Sequence, residues 1–387
     1  MSEIKVNSIK GVGASSAAIT VNNTDGTCTA NITNNLSNRN KIINGSMICS
    51  QRGTTFSPDG TEQPYTLDRF QHVATGGADG DCTVTQSTDA PTGFKNSYKI
   101  TPDATNTPTG GGNVTIRHQI EGQDLQDLNY GTSSAKSLTI SFYAKTASGN
   151  SGDQYTLCLF YARQDSTQKT VTVAFTPTST YQRFSFTFAG DTDASYGMRN
   201  DNGSGITATW VLAAGSDDIK AAKSTWEVDG GYFRGVTGQD NFMDNTSNEF
   251  YLTGVQLEVG SVATDFEHRS FAQELALCQR YYQQYVNPAC TGVIPDNGSK
   301  AYSIGLQFQT RMRAVPTLTI TNAGTGGNVS DGASNQFISS LNAADRNVDG
   351  ASMYLNLAGD LGDYRPACLG LNDSTNNTTT YKFTAEL

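Results

Sequence analysis

The sequence predicts an all-β chain organised around a central jelly-roll-like antiparallel β-sandwich, and three observations predict it. Charged residues make up only 16% of the 387 positions while glycine alone supplies 39, a turn-rich composition that suits strands better than helices. Segments such as Phe184-Ser185-Phe186-Thr187-Phe188 and Leu138-Thr139-Ile140-Ser141-Phe142 alternate strictly, so each offers one apolar face to a core. Clusters of Gly, Asn, Asp, Ser and Pro separate these segments with no helical periodicity between them, which favours two stacked antiparallel sheets over a parallel α/β sheet.

Taken in order, residues 1–39 form an extended N-terminal arm. Its short apolar runs (Ile4, Val6; Ala18, Ile19, Val21) are too small to bury a core alone. They need the same segments of sister chains or an acceptor protein as neighbours; the alternative is a disordered tail. Residues 40–268 read as one large β domain, with strands at 97–100, 113–120, 138–145, 155–162, 170–175, 181–188, 206–212 and 249–258. A connecting helix is expected over 269–287: Ser270 and Gln273 fit a capping box, Asn287-Pro288 supply a stop, and Phe271, Leu275, Cys278, Tyr282 and Tyr285 share one helical stripe. Such a stripe most often packs on a neighbouring domain or sister chain. Residues 288–387 return to β, with strands at 301–308, 317–321, 352–357 and 381–387, an exposed turn at 322–327, and Tyr381, Phe383, Ala385 and Leu387 on one face.

The bulk numbers exclude several classes of function. With 36 acidic and 26 basic residues, a net charge of −10 and no Lys/Arg cluster, no general attraction to nucleic acid or anionic membrane is expected. Seven scattered cysteines without CxxC spacing suggest free, mostly buried thiols formed in a reducing cytoplasm. The first residues lack the apolar core of a signal peptide, and no apolar run is long enough to span a bilayer.

Two blocks carry a resemblance. The first runs Asn44-Gly45-Ser46-Met47-Ile48-Cys49-Ser50-Gln51-Arg52-Gly53 and continues at Tyr65-Thr66-Leu67-Asp68-Arg69-Phe70. The second runs Tyr251-Leu252-Thr253-Gly254-Val255-Gln256-Leu257-Glu258, then Phe266-Glu267-His268-Arg269-Ser270. Together they resemble the opening and closing signatures of a domain common in bacteriophage tail-fibre and appendage proteins. Met312 to Thr317 and Phe383 to Leu387 are similar to the β domain that often follows. The resemblance implies a virion protein, often trimeric, made in the host cytoplasm and displayed at the tail. Its central domain would look like carbohydrate-binding jelly rolls, with other virion proteins and host-surface glycans as partners. It implies no catalytic site, no cofactor and no transferable set of sugar-binding residues. A purely structural adaptor or head fibre, and less readily a polysaccharide depolymerase, are the competing readings.

His72, His118 and His268 lack metal-ligand spacing. Asp79-Gly80-Asp81 and Asp191-Thr192-Asp193 are calcium candidates against ordinary acidic turns. No carboxylate pair, GxSxG elbow or phosphate loop stands out. A sugar ring stacks its CH face on a flat aromatic, which makes Trp210, Trp226, Tyr161 and Tyr232 the carbohydrate-binding candidates, each weighed against plain core packing. Asp68, Arg69, Phe266, His268 and Arg269 are expected to be structural: Asp68 and Arg69 as a buried ion pair, His268 at the strand-to-helix junction, and Arg52 and Arg269 in similar parts.

Overall fold

The computed structural model describes residues 8–9, 19–21, 28–30, 38–58, 63–76, 82–228, 235–286, 288, 290–294, 299–303, 305–321, 328–332, 334–361, 365–371 and 380–387. In the arm, Ser8–Ile9, Ile19–Val21 and Cys28–Ala30 pair with one another as a three-stranded antiparallel sheet. The remaining arm residues, the turn at 322–327 and the acidic turn at 79–81 lie outside the described residues.

Two six-stranded antiparallel sheets make the sandwich. The first runs from edge to edge through Glu227–Val228, Gln168–Phe175, Tyr155–Ala162, Ser204–Ala214, Asn113–Glu121 and Phe70–Thr75. The second runs through Gln182–Phe188, Leu138–Thr146, Phe250–Val259, Ser97–Pro102, Cys82–Ser87 and Thr55–Phe56. Apart from two hairpins, Cys82–Ser87 with Ser97–Pro102 and Tyr155–Ala162 with Gln168–Phe175, the chain passes repeatedly from one sheet to the other, so most of the burial is non-local. Alternation delivers the core as expected: Ile140 and Phe142 of one sheet meet Trp210 and Leu212 of the other, the Trp210 ring standing edge-on to Phe142 at 5.6 Å. Each such fully buried side chain contributes about 1.5–3 kcal/mol. Two strands that the sequence did not mark, Phe70–Thr75 and Cys82–Ser87, are six residues each, the first interrupted by Gln71 and His72 and the second by Thr83, Thr85, Gln86 and Ser87, with little apolar weight to separate them from loops.

The connecting helix is shorter than its periodicity suggested. The Ser270–Gln273 capping box forms, with the Gln273 N–H donating to Ser270 Oγ at 3.3 Å, but the helix covers only Phe271–Gln279. Tyr282–Val286 is a strand that pairs antiparallel with Thr380–Thr384. Tyr282 and Tyr285, three apart, share a face only in a helix and point to opposite faces of the strand; the sheet hydrogen bonds offered by Thr380–Thr384 override the helical spacing. The stripe is therefore divided: Cys278 is buried, Phe271 is 58% exposed, and the two tyrosines belong to the sheet.

Beyond the helix lies a second core, around Ile338, Met353, Leu355, Tyr381 and Phe383. Cys290–Val293, Lys300–Ser303, Gly350–Leu357, Asn335–Arg346, Asn328–Ser330 and Pro366–Leu371 pair in that order, and the last pairs back to the first. The ring is thus a closed six-stranded antiparallel barrel. A three-stranded sheet packs with it, in which Thr380–Thr384 lies between Tyr282–Val286 and Thr317–Thr321.

The two sequence blocks meet at the neck of the sandwich. Asn40 donates to Val255 O at 3.1 Å and accepts from the Leu257 N–H at 3.1 Å, while the Lys41 N–H donates to Leu257 O at 2.8 Å. Arg269 donates to the backbone oxygens of Asn40 and of Ile42, the latter at 3.0 Å, and Glu274 accepts from the Asn44 N–H. The chain thereby enters and leaves the sandwich through one cross-tied neck.

Candidate functional site

The sequence-selected aromatics do not form a surface site. Trp210 and Tyr161 are wholly buried and Trp226 is 8% exposed. Tyr161 donates its hydroxyl to Asp191, Trp226 donates its indole N–H to Ala189 O at 2.9 Å, and the Tyr161 and Trp226 rings meet edge-on at 5.1 Å. A ring packed in the core presents no face to a sugar, so these three positions are corrected to core residues. Tyr232 lies outside the described residues.

The outer face of the first sheet carries a different set of side chains. Register places Phe160 beside Thr207 and Thr207 beside Gln119, so three neighbouring strands set these side chains in one row on the face opposite Trp210. They line a groove of about 180 Å³ that Arg117, Gln168 and Arg199 also border. Phe160 is half-buried in it. Arg199 is held flat by Asp201, its Nε and Nη2 each 2.8 Å from a carboxylate oxygen, and Gly203 makes room, since a Cβ there would lie 2.7 Å from the guanidinium carbon. Gln119 is fixed by donating to Tyr65 Oη and Leu387 O, each at 3.1 Å. An apolar ring bordered by amides, guanidinium groups and a hydroxyl is suited to a small neutral polyol: the ring takes a CH face and the border takes hydroxyl groups. The volume is below the roughly 300 Å³ at which drug-sized pockets begin, so it suits a single ring. The described lining residues include no carboxylate.

The structural candidates fall into two groups. Asp68 and Arg69 are both buried but do not pair with each other, which corrects the expected ion pair. Asp68 meets Arg52 at 3.4 Å and Gln51 Nε2 at 2.9 Å, whereas Arg69 pairs with Glu386. The two residues form the turn that precedes Phe70–Thr75, Arg69 with a left-handed φ of +70°, and this turn sends their side chains to different partners. Phe266 and the exposed His268 join Phe94 in an aromatic cluster, with ring centroids 4.9–5.3 Å apart, that pins the segment leading to the helix onto the second sheet. Gly254 admits this cluster: its φ is +60°, and a Cβ would lie 2.7 Å from Phe94 and 2.8 Å from Tyr143. Arg269 has the clasping role described above.

His72 and His118 sit inside the sandwich. Burial alone lowers the His72 pKa from 6.5 to about 4. Burial also holds His118 well below its ordinary value, reinforced by the nearby Arg69 charge. Asp191 and Asp193 both face Lys169, at 2.7 and 2.9 Å, and Arg163 lies 3.7 Å from Asp193, so two cations balance the two carboxylates internally. Among the described residues no group of three His, Cys, Asp or Glu side chains converges on a common point.

No family model matches the chain, and no curated protein matches it. Among solved structures it is similar to the enzymatically active domain of bacteriophage CBA120 tailspike protein 4, at 12% identity over 57% of this chain and 21% of that one, with a TM-score of 0.29. It is also similar to the CBM22-1 xylan-binding domain from Paenibacillus barcinonensis Xyn10C (12% identity, 53% of this chain and 94% of that one, TM-score 0.27). A third is the family 11 carbohydrate-binding module of the Clostridium thermocellum cellulase Lic26A-Cel5E (12% identity, 56% and 98%, TM-score 0.26). The chain spans about a fifth of the tailspike domain's length. Likenesses this distant carry no argument about function.

Proposed function

We propose that the chain is a phage virion protein of the tail-fibre or appendage type, a non-enzymatic homotrimer that attaches to the particle through its N-terminal arm and contacts host-surface glycans through the groove over Phe160. The groove carries the binding half of this reading: a half-buried ring, a polar border and no lining carboxylate favour holding a sugar over hydrolysing one. The virion half rests on the two signature blocks, which interlock at the neck of the sandwich: Gln256 accepts from the Glu267 N–H, and Asn44 and Arg269 both donate to Glu274 at the start of the helix. Apolar side chains left at the surface, Ile9 at 54% and Phe271 at 58% exposure, give sister chains something to cover.

The experiment is saturable binding of the purified protein to intact host cells and extracted surface polysaccharide, with soluble sugars as competitors, repeated with Phe160→Ala and Gln168→Ala. Competed binding that falls tenfold or more in Phe160→Ala supports the reading. Absence of binding by a well-folded protein moves the assignment to a structural adaptor or head fibre. Release of reducing ends from the polysaccharide would make it a depolymerase.

A further inference from the structure

One buried charge cluster is not used by the glycan reading, and it lies where the barrel meets the sandwich. Arg69 has no exposed surface and a backbone φ of +70°. Its guanidinium lies 3.5 Å from the Tyr281 ring centroid, donates to Gln119 O at 2.6 Å and pairs with Glu386. Arg52 lies 3.7 Å from the Tyr282 ring centroid and reaches the other Glu386 carboxylate oxygen at 2.8 Å. The backbone around Glu386 is held as well: Arg313 donates to Ala385 O at 2.8 Å and Glu386 O at 2.7 Å, and Tyr65 donates to Leu387 O at 2.8 Å.

The Asp68 and Glu386 carboxylates meet two guanidinium cations, Arg52 and Arg69, while Arg313 reaches only backbone oxygens. Asp68 belongs to the sandwich and partners Arg52. Without Glu386 the sandwich side would therefore hold one buried cation in excess, a state that a desolvated site does not sustain. The arginines are nonetheless set in place by contacts that do not involve Glu386: the two tyrosine rings, Asp68 and Gln119 O. Preorganised guanidinium forks flanked by aromatic rings are a receptor for a planar anion.

We propose that Arg52 and Arg69 form a carboxylate-binding site of the sandwich, filled in cis by Glu386, which fixes the barrel to the sandwich and accepts a free carboxylate when Glu386 is absent. The occupant class is an acidic side chain on an extended peptide, and the smallest probes are acetate and formate.

The test is chemical rescue in the full chain. Glu386→Ala should lower the melting temperature by about 5 °C or more. Sodium acetate or formate should restore at least half of that loss, while sodium chloride at equal ionic strength should not. Glu386→Gln fills the space with a neutral amide and should be destabilised without being rescued. Arg52→Ala should cost much less in the Glu386→Ala background than in the native chain, as expected for partners in one site. If Glu386→Ala does not fold alone, refolding yield becomes the readout, and acetate should raise it above the chloride control. A Glu386→Ala protein that melts with the native chain, or acetate that does no better than chloride in either assay, overturns the proposal.

Discussion

The pH dependence of stability offers the most direct check on the sandwich interior, because His72 is buried there without a hydrogen-bond partner on either ring nitrogen. Its pKa falls from 6.5 to about 4 through desolvation, so between these values the unfolded chain binds a proton that the folded chain refuses. The unfolded state therefore holds more protons across this window, and stability rises with pH. The His72 contribution is complete above about pH 6.5 and is lost as the pH falls toward 4. At roughly 1.4 kcal/mol for each pH unit, the gap amounts to about 3 kcal/mol in full and about 2.5 kcal/mol at pH 4.5. His118, on the neighbouring strand, acts in the same direction. Urea unfolding of the native chain and of His72→Leu at pH 7.5 and pH 4.5 isolates the effect. The variant should lose about 2.5 kcal/mol less on acidification, and at pH 7.5 it should be no less stable, since it removes two unpartnered polar atoms from an apolar core. An imidazole that titrates near 6.5 by NMR, or a variant that keeps the full acid sensitivity, would refute the reasoning.

Other outcomes follow from the same packing. Light scattering should give about three times the 41.3 kDa monomer mass, and a monomer at micromolar concentration would end the trimer assignment. Gly254→Ala drives a Cβ into Phe94 and Tyr143 at a positive φ and should cost about 2–3 kcal/mol in an unfolding titration. Trp210→Phe should lower stability by about 2 kcal/mol through lost core volume while leaving glycan binding unchanged; a binding defect in a stable Trp210→Phe protein would return Trp210 to the site.

Much of the fold was legible because alternation is a local property. Phe184 and Phe186, or Leu138, Ile140 and Phe142, declare their inward faces within five residues, and Ser270 with Gln273 declares a helix start within four. What escaped was non-local. The barrel depends on 300–302 pairing with 354–356, a closure that no window along the chain contains, and Asn335–Arg346 has no clear two-residue period to announce its strand. The helix end was missed because residues at i and i+3 satisfy a helix until a partner strand arrives. The groove was hidden for a related reason. Phe160, Thr207 and Gln119 are unremarkable outward positions in three strands, and only sheet order makes them neighbours. Trp210 and Trp226 drew attention by size, yet a large ring in a strand is the residue a sandwich interior most readily absorbs. The pairing of Arg69 with Glu386 spans 317 positions and leaves no local signal at all.

The cross-tied neck also determines where mechanical load would travel. A pull on the arm reaches Asn38 to Asn44, and these residues are bonded directly to Asp265, Glu267, Arg269 and Glu274, the segment that leads into the barrel. Force applied between the arm and the barrel would cross this short bridge and bypass most of the strands between them. The sandwich hangs from the bridge as a closed loop of chain, so tension along the molecule would be shared between this bridge and the Glu386 clasp, and the second of these is the route by which load would reach Gln119 at the rim of the groove.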